Sequence, residues 1–188
     1  MKKLHLILAA SAAALTISGA PAMADRGTDG DLKIIFWQAV STMNPYLSGG
    51  TKEVYGASMV IEPLARYDET GALVPMLATE IPTVENGGVA ADLKSITWKL
   101  KPDLKWSDGT PVTAADVVYT VDRLLKINQG PATLFIDILK PGSVTAVDDK
   151  TVKFTLAKTF SPFLTTVPAI FIVNSKVAEA NKGADDGQ

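Results

Sequence analysis

The sequence predicts a mixed α and β fold, and three stretches carry that prediction. Ser95-Ile96-Thr97-Trp98-Lys99-Leu100 alternates strictly and puts Ile96, Trp98 and Leu100 on one face, as a half-buried strand requires. Thr113-Ala114-Ala115-Asp116 has the form of a capping box, and Val117, Val118, Val121, Leu124 and Leu125 follow it as one apolar stripe at helical spacing. Ser143 to Val147 and Thr151 to Leu156 read as a hairpin across Asp148-Asp149-Lys150. Strands and helices do not alternate regularly, so a doubly wound sheet is not expected, and no repeat is visible.

The first 24 residues have a separate character. Lys2 and Lys3 form a short basic region, an apolar stretch runs from Leu4 to Ile17, and Ala22-Met23-Ala24 supplies small residues at both recognition positions of a signal peptidase. Residues 1–24 are therefore expected to be a signal peptide, cleaved between Ala24 and Asp25. The apolar stretch is short for the ~20 residues of a membrane span, and Ser18-Gly19-Ala20-Pro21 breaks it. The chain contains no cysteine, so no lipid can be attached at the cleavage site, and the mature protein is expected free in the periplasm.

Along the mature chain, Leu32-Lys33-Ile34-Ile35-Phe36-Trp37 has the length and residue types of a buried strand and feeds a loop around Asn44-Pro45-Tyr46. Thr51 can cap a helix whose Val54, Ala57, Ser58 and Ile61 share a face, with Pro63 marking its end. Leu64 to Tyr67 and Ala72 to Met76 are extended pieces around the turn Asp68-Glu69-Thr70-Gly71, and Glu85-Asn86-Gly87-Gly88 makes a wider turn. Another turn falls at Asp108-Gly109, and the capped helix should stop near Asn128-Gln129-Gly130-Pro131. Phe160 to Val173 is apolar but holds Pro162 and Pro168, which makes it a core segment and not a span. Val173-Asn174-Ser175 leads into a helix that barely begins before the chain stops at Gln188, an ending expected of a truncation.

Composition excludes several functions. Of 188 residues, 47% are hydrophobic and 20% charged, and the formal charge is −2 with no run of about five like charges, so a polyanion or nucleic-acid partner is not expected. His5, the one histidine, leaves with the signal peptide. A mature chain without histidine or cysteine has no Ser-His-Asp triad, no Cys-His pair and no His or Cys zinc site. No cofactor or metal is expected, and Gly49-Gly50-Thr51-Lys52 lacks the spacing of a phosphate loop.

The segment Trp98-Lys99-Leu100-Lys101-Pro102-Asp103-Leu104-Lys105-Trp106-Ser107-Asp108-Gly109-Thr110-Pro111-Val112-Thr113-Ala114-Ala115-Asp116-Val117-Val118-Tyr119 resembles the signature of the family 5 extracytoplasmic solute-binding proteins, which serve peptide, dipeptide and nickel ABC importers. Met43-Asn44-Pro45-Tyr46, Glu62-Pro63-Leu64-Ala65-Arg66-Tyr67, Leu73-Val74-Pro75-Met76-Leu77-Ala78 and Thr151-Val152-Lys153-Phe154-Thr155-Leu156 support the resemblance, which covers Asp25 to Ala180. It implies that residues 25–188 are the N-terminal part of a two-lobed periplasmic binding protein-like fold, the first lobe with a small sheet-and-helix subdomain. Because family members are considerably longer, the resemblance also implies that the second lobe, with the groups that usually grip a peptide's charged ends, is not among these residues.

By the same resemblance the loop after the first strand contributes to a ligand site, and carried onto this sequence that loop holds Asn44, Pro45, Tyr46, Ser48, Gly49, Gly50 and Thr51. Gly49-Gly50 would let a ligand approach the backbone, with Ser48 and Thr51 as hydroxyl donors beside it. These residues equally suit a plain turn with Thr51 capping the next helix. The implied function is capture of peptides or similar small solutes for the permease subunits of an ABC importer, by a monomer that catalyses nothing. A periplasmic ligand sensor or chaperone on the same fold is the alternative. A secreted hydrolase built on a carboxylate pair from Glu53, Glu62, Asp68 or Asp108 is less favoured, because acidic side chains in loops are mostly solvated. Trp98 and Trp106 are expected to pack a small sheet, whereas Phe160 to Val173 is expected to lack packing partners without the second lobe.

Sequencing of the protein recovered from a periplasmic extract is expected to begin at Asp25. Folded material that still carries Met1 would overturn the signal-peptide reading.

Overall fold

The structure is a computed structural model and describes residues 34–181. The signal peptide, its cleavage site at Ala24 and Asp25, and the tail from residue 182 lie outside the described residues. Contacts divide the chain between Ile35 and Phe36, and the architecture below is that of the part from Phe36 onward.

Residues 34–37 do not form the strand that the apolar run predicts. Ile35 is fully exposed and Trp37 is 67% exposed. The physical reason is pairing: a strand needs a neighbour for its backbone groups, and the described strands pair only among themselves. Next, a short 3₁₀ turn, Pro45–Leu47, is capped by the Asn44 side chain, whose oxygen accepts from the Tyr46 N–H at 3.1 Å. Helix α1, Thr51–Ala57, begins one residue earlier than expected, with Gly50 at the cap and Thr51 already helical. It also ends at Ser58, well before Pro63, because Pro63 instead bridges to Phe171 in an extended pairing.

Glu53 corrects the expectation of a solvated carboxylate, since it is 1% exposed on α1. One of its oxygens meets the Lys52 ammonium at 2.9 Å and accepts from the Ser41 N–H at 3.1 Å. Lys52 also donates to the Ala39 carbonyl and the Ser41 hydroxyl, so the pair ties the segment before the turn onto α1. The hydrogen bond from Lys52 holds the Glu53 carboxyl down at about 2.

Strands β1, Ala65–Tyr67, and β2, Leu73–Pro75, pair antiparallel around the expected turn, where Asp68 accepts from the Thr70 and Ala72 N–H groups. The main sheet combines β3, Ser95–Lys99, with the later hairpin β4, Val144–Asp148, and β5, Thr151–Thr155. Its order is β3-β5-β4, all antiparallel, with Ile96 opposite Phe154 and Trp98 opposite Val152. Those four side chains are buried, as strict alternation in β3 and β5 requires. Between β3 and the hairpin runs α2, Ala114–Ile127, opened by the predicted capping box of Thr113 and Asp116. Val117, Val121 and Leu124 are fully buried along its inner face, which packs on β4 and β5. The helix ends at Asn128 in the left-handed conformation, at the predicted place.

Phe160 to Val173 folds as α3, Phe163–Thr166, a 3₁₀ turn, Val167–Ala169, and an extended exit. Contrary to expectation it finds its partners within this chain. Phe163 and Phe135 meet edge to face with ring centroids 6.2 Å apart, and Val167, Ile170, Phe171 and Ile172 join the same core. Proline restricts the helical length of this segment but not its burial. The chain then enters α4, Ser175–Ala180, capped by Asn174.

The two tryptophans of the signature separate. Trp98 is 0% exposed at the centre of the core, while Trp106 is half-buried and points its indole N–H toward Asp116 at 3.4 Å. No acceptor among the described residues takes the Trp98 indole N–H. Trp98→Ala is expected to cost about 3–5 kcal/mol, and Trp98→Phe distinctly less because it also removes a buried unpaired donor worth about 1–3 kcal/mol. Trp106→Ala is expected at about 1–2 kcal/mol. Urea unfolding of the three variants measures the order, and a Trp106 loss as large as that of Trp98 would contradict it. A second expectation concerns acid. The folded Glu53 value lies below its ordinary 4.5, so its contribution is present above that value and is lost as pH falls from about 4.5 toward 2. Glu53→Gln should flatten the pH dependence of the melting temperature in that window.

Candidate functional site

The turn after residue 41 lines a cleft of about 410 Å³ whose rim and walls come from residues 42–47 together with Ile61, Arg123, Val173 and Ala178. Three elements meet there because α2 carries a polar stripe along one side. Asp116, Thr120 and Arg123 recur at four- and three-residue spacing, and all three are buried. Thr120 donates its hydroxyl to the Asp116 carbonyl at 2.7 Å and accepts the Val173 N–H at 3.0 Å. Asp116 accepts the Ser175 N–H at 2.9 Å and its hydroxyl at 2.7 Å. Through these bonds the exit of the chain toward α4 is laid against α2 and becomes the far wall of the cleft.

Asp116 also accepts from the Thr113 N–H at 2.9 Å. Burial alone would raise its carboxyl, but the donors from Ser175, Thr113 and Trp106 outweigh that and hold it below the usual range. Arg123 lies with its guanidinium 5.4 Å from the centre of the Tyr46 ring, a cation–π distance. Burial drives the Tyr46 phenol far above its ordinary range, so it stays a neutral donor, and it donates to the Phe171 carbonyl.

The structure divides the seven residues that the sequence singles out. Asn44, Pro45 and Tyr46 line the cleft, whereas Ser48, Gly49, Gly50 and Thr51 do not. Pro45 and Tyr46 are buried, so they form its floor and offer little surface to a solute. Ser48 is already engaged, accepting from the Gly50 N–H at 3.1 Å and approaching Glu53 at 3.3 Å. A side chain at Gly50 would meet a Glu53 oxygen at 2.4 Å, so that glycine makes room for a carboxylate of this chain. Gly49 and Thr51 are exposed outside the cleft. Of the four carboxylates considered for hydrolysis, Glu53 is bound to Lys52 and Asp68 lines neither this cleft nor the next, while Glu62 and Asp108 do not line the 410 Å³ cleft but both border the second one.

Sequence reasoning missed Thr42, Arg123 and Val173. The signal available was the buried spacing of Asp116, Thr120 and Arg123, polar residues on the side of α2 next to its apolar stripe. A second cleft, of about 460 Å³, lies on the other side of Ile61 and Val173, which line both. Its walls include Met59, Val60, Trp106 and Val177.

Comparison with known proteins gives this arrangement a context. The probable D,D-dipeptide-binding periplasmic protein DdpA of Escherichia coli K12 is 46% identical over 99 residues, which are 52% of this chain and 18% of that protein. The solved E. coli murein tripeptide binding protein MppA superposes with a TM-score of 0.65 at 29% identity, covering 78% of this chain and 31% of its own. The binding protein AgaA of A. tumefaciens R10, solved with agropinic acid, gives 0.66 at 28% identity, covering 79% of this chain and 28% of its own. This chain thus spans well under half the length of the relatives it matches. A family model described as bacterial extracellular solute-binding proteins, family 5 Middle, matches residues 72–188, more than half of the chain, and the chain belongs to that family.

Proposed function

We propose that this chain is the first-lobe portion of a periplasmic solute-binding component of an ABC transporter, which captures peptides or similar small solutes and delivers them to the membrane permease. The observation that carries the reading is the family match over residues 72–188, joined to a relative named for D,D-dipeptides and another for murein tripeptides. The cleft at Asn44, Pro45 and Tyr46 supports it, because it opens beside a loop in the position the family resemblance gives to ligand contacts. Export by residues 1–24, a free monomeric state in the periplasm and the absence of catalysis belong to the same proposal. So does the extent of residues 25–188 as part of a larger two-lobed domain.

Half a cleft binds weakly. A micromolar constant, about −8 kcal/mol, needs a ligand enclosed and desolvated on most of its surface. A few exposed hydrogen bonds contribute only about 0.5–1.5 kcal/mol each, less than the cost of association.

Titration of residues 25–188 with mixed di- and tripeptides, followed by amide chemical shifts and calorimetry, is expected to show half-saturation no tighter than about millimolar, with shifts centred on Thr42 to Leu47. Micromolar binding would place all ligand anchors in this chain. Shifts elsewhere but not at this cleft would remove it as the site.

A further inference from the structure

The wide turn at Glu85-Asn86-Gly87-Gly88 lines neither of the two clefts, and it is built around one side chain. The Asn86 side-chain oxygen accepts the Thr83 N–H at 2.8 Å and the Gly88 N–H at 2.9 Å. Its amide nitrogen donates to the Ile81 carbonyl at 2.9 Å and to the Glu80 carboxylate at 3.2 Å. Gly87 follows with φ at +74°, a conformation that glycine adopts without strain, and its N–H donates to the Val84 carbonyl at 3.1 Å. The turn then covers the outer edge of β3. The Gly88 carbonyl accepts the Thr97 N–H at 2.7 Å, the Ala90 N–H donates to the Ser95 carbonyl at 2.9 Å, and Val89 bridges to Ile96. The fold therefore requires both residues where they stand, asparagine as the hub of four hydrogen bonds and glycine for its backbone.

The same dipeptide is chemically labile, because glycine has no side chain to hinder its own nitrogen. Once that nitrogen has lost its proton to hydroxide, it can bond to the Asn86 Cγ; the Cγ–Nδ2 bond breaks and the side-chain nitrogen leaves as ammonia. Water then opens the cyclic imide to aspartate or isoaspartate, and no oxidant or cofactor takes part. Asn44, Asn128, Asn174 and Asn181, the other asparagines, do not precede glycine. Asn86 is exposed, so burial does not protect it. Hydrogen bonds do: Val84 holds the proton that the attacking nitrogen must lose, while Ile81 and Glu80 hold the nitrogen that must leave.

We propose that Asn86 is a deamidation site shielded by its own turn, so that conversion marks chains that have lingered unfolded. The mark is one-way. A carboxylate in place of the amide has no hydrogen for the Ile81 carbonyl and sets a second negative charge against Glu80. A marked chain thus refolds without the hub of the turn, and the outer edge of β3 is left open to pairing with other chains.

The test compares the full chain, the full chain in urea and a peptide of residues 80–90, all incubated at mildly alkaline pH, by the mass gained when the Asn86 amide becomes an acid. The folded chain is expected to convert at least about tenfold more slowly than the peptide, because only the open turn reacts, and urea is expected to abolish the difference. Equal rates in the folded chain and the peptide would overturn the shielding. Asn86→Asp tests the consequence directly. Amide exchange at Val89 and Thr97 is expected to quicken by about tenfold or more while the β4–β5 pairing keeps its protection. Adding Glu80→Gln, which removes the charge and supplies a donor, should slow that exchange again. Wild-type exchange in Asn86→Asp, or no slowing on addition of Glu80→Gln, would overturn the proposed effect of the mark. No solute enters either measurement, so the outcome is independent of the transport function proposed above.

Discussion

Everything in this fold depends on the return of the chain across its own beginning. The Tyr46 hydroxyl, buried and neutral, donates to the carbonyl of Phe171, 125 residues later. Alongside it the Ile172 N–H donates to the Glu62 carbonyl, and Pro63 bridges to Phe171. A buried phenol left without an acceptor would carry the full cost of its desolvation, so this contact fixes the two ends against each other and not merely near each other. With that crossing in place, α2 meets the returning segment along its polar stripe, and the first cleft is the space left between them.

The stripe explains how one helix serves two purposes. Val117, Val121 and Leu124 turn into the core while Asp116, Thr120 and Arg123 face the crossing segment. Buried polar groups are tolerated only where their hydrogen bonds are made, and here Asp116 is bonded to Ser175 and Thr113, and Thr120 to Val173, which walls the cleft. The same logic holds for Glu53, which is inside because Lys52, Ser41 and Ser48 receive it. Gly130 adds a steric link. A side chain there would lie 2.9 Å from the Tyr46 carbonyl and 3.1 Å from those of Pro45 and Ser48, so the exit of α2 presses against the backbone of the site turn.

The parts of this architecture that were legible in the sequence are those set by local pattern. Alternation located β3, the capping box located the start of α2, and the Asp148-Asp149-Lys150 turn located the hairpin, because each depends on residues within a few positions of one another. The apolar run misled over its described residues, 34–37, since an apolar stretch states what it would bury against and not whether a partner strand is offered. Trp98 and Trp106 look equivalent in the signature, yet only the first is enclosed. The candidate site was half legible: Asn44, Pro45 and Tyr46 were found through the family resemblance, while Arg123 reaches the cleft only because the helix carrying it is packed 77 residues downstream of Tyr46. The glycines at 49 and 50 suggested room for a ligand, and the room at Gly50 is filled by Glu53.

The crossing also sets an order of assembly. The β4 and β5 hairpin needs only a short loop to close and can form on the microsecond scale, whereas β3 must wait for β5, whose residues pair with it across the whole of α2. Tyr46 and Leu64 wait longer still, for Phe171 and its neighbours. A chain made from its N-terminus onward therefore has more than a hundred residues in hand before the first of them can be sealed in, and those early residues stay pliable until the late ones arrive.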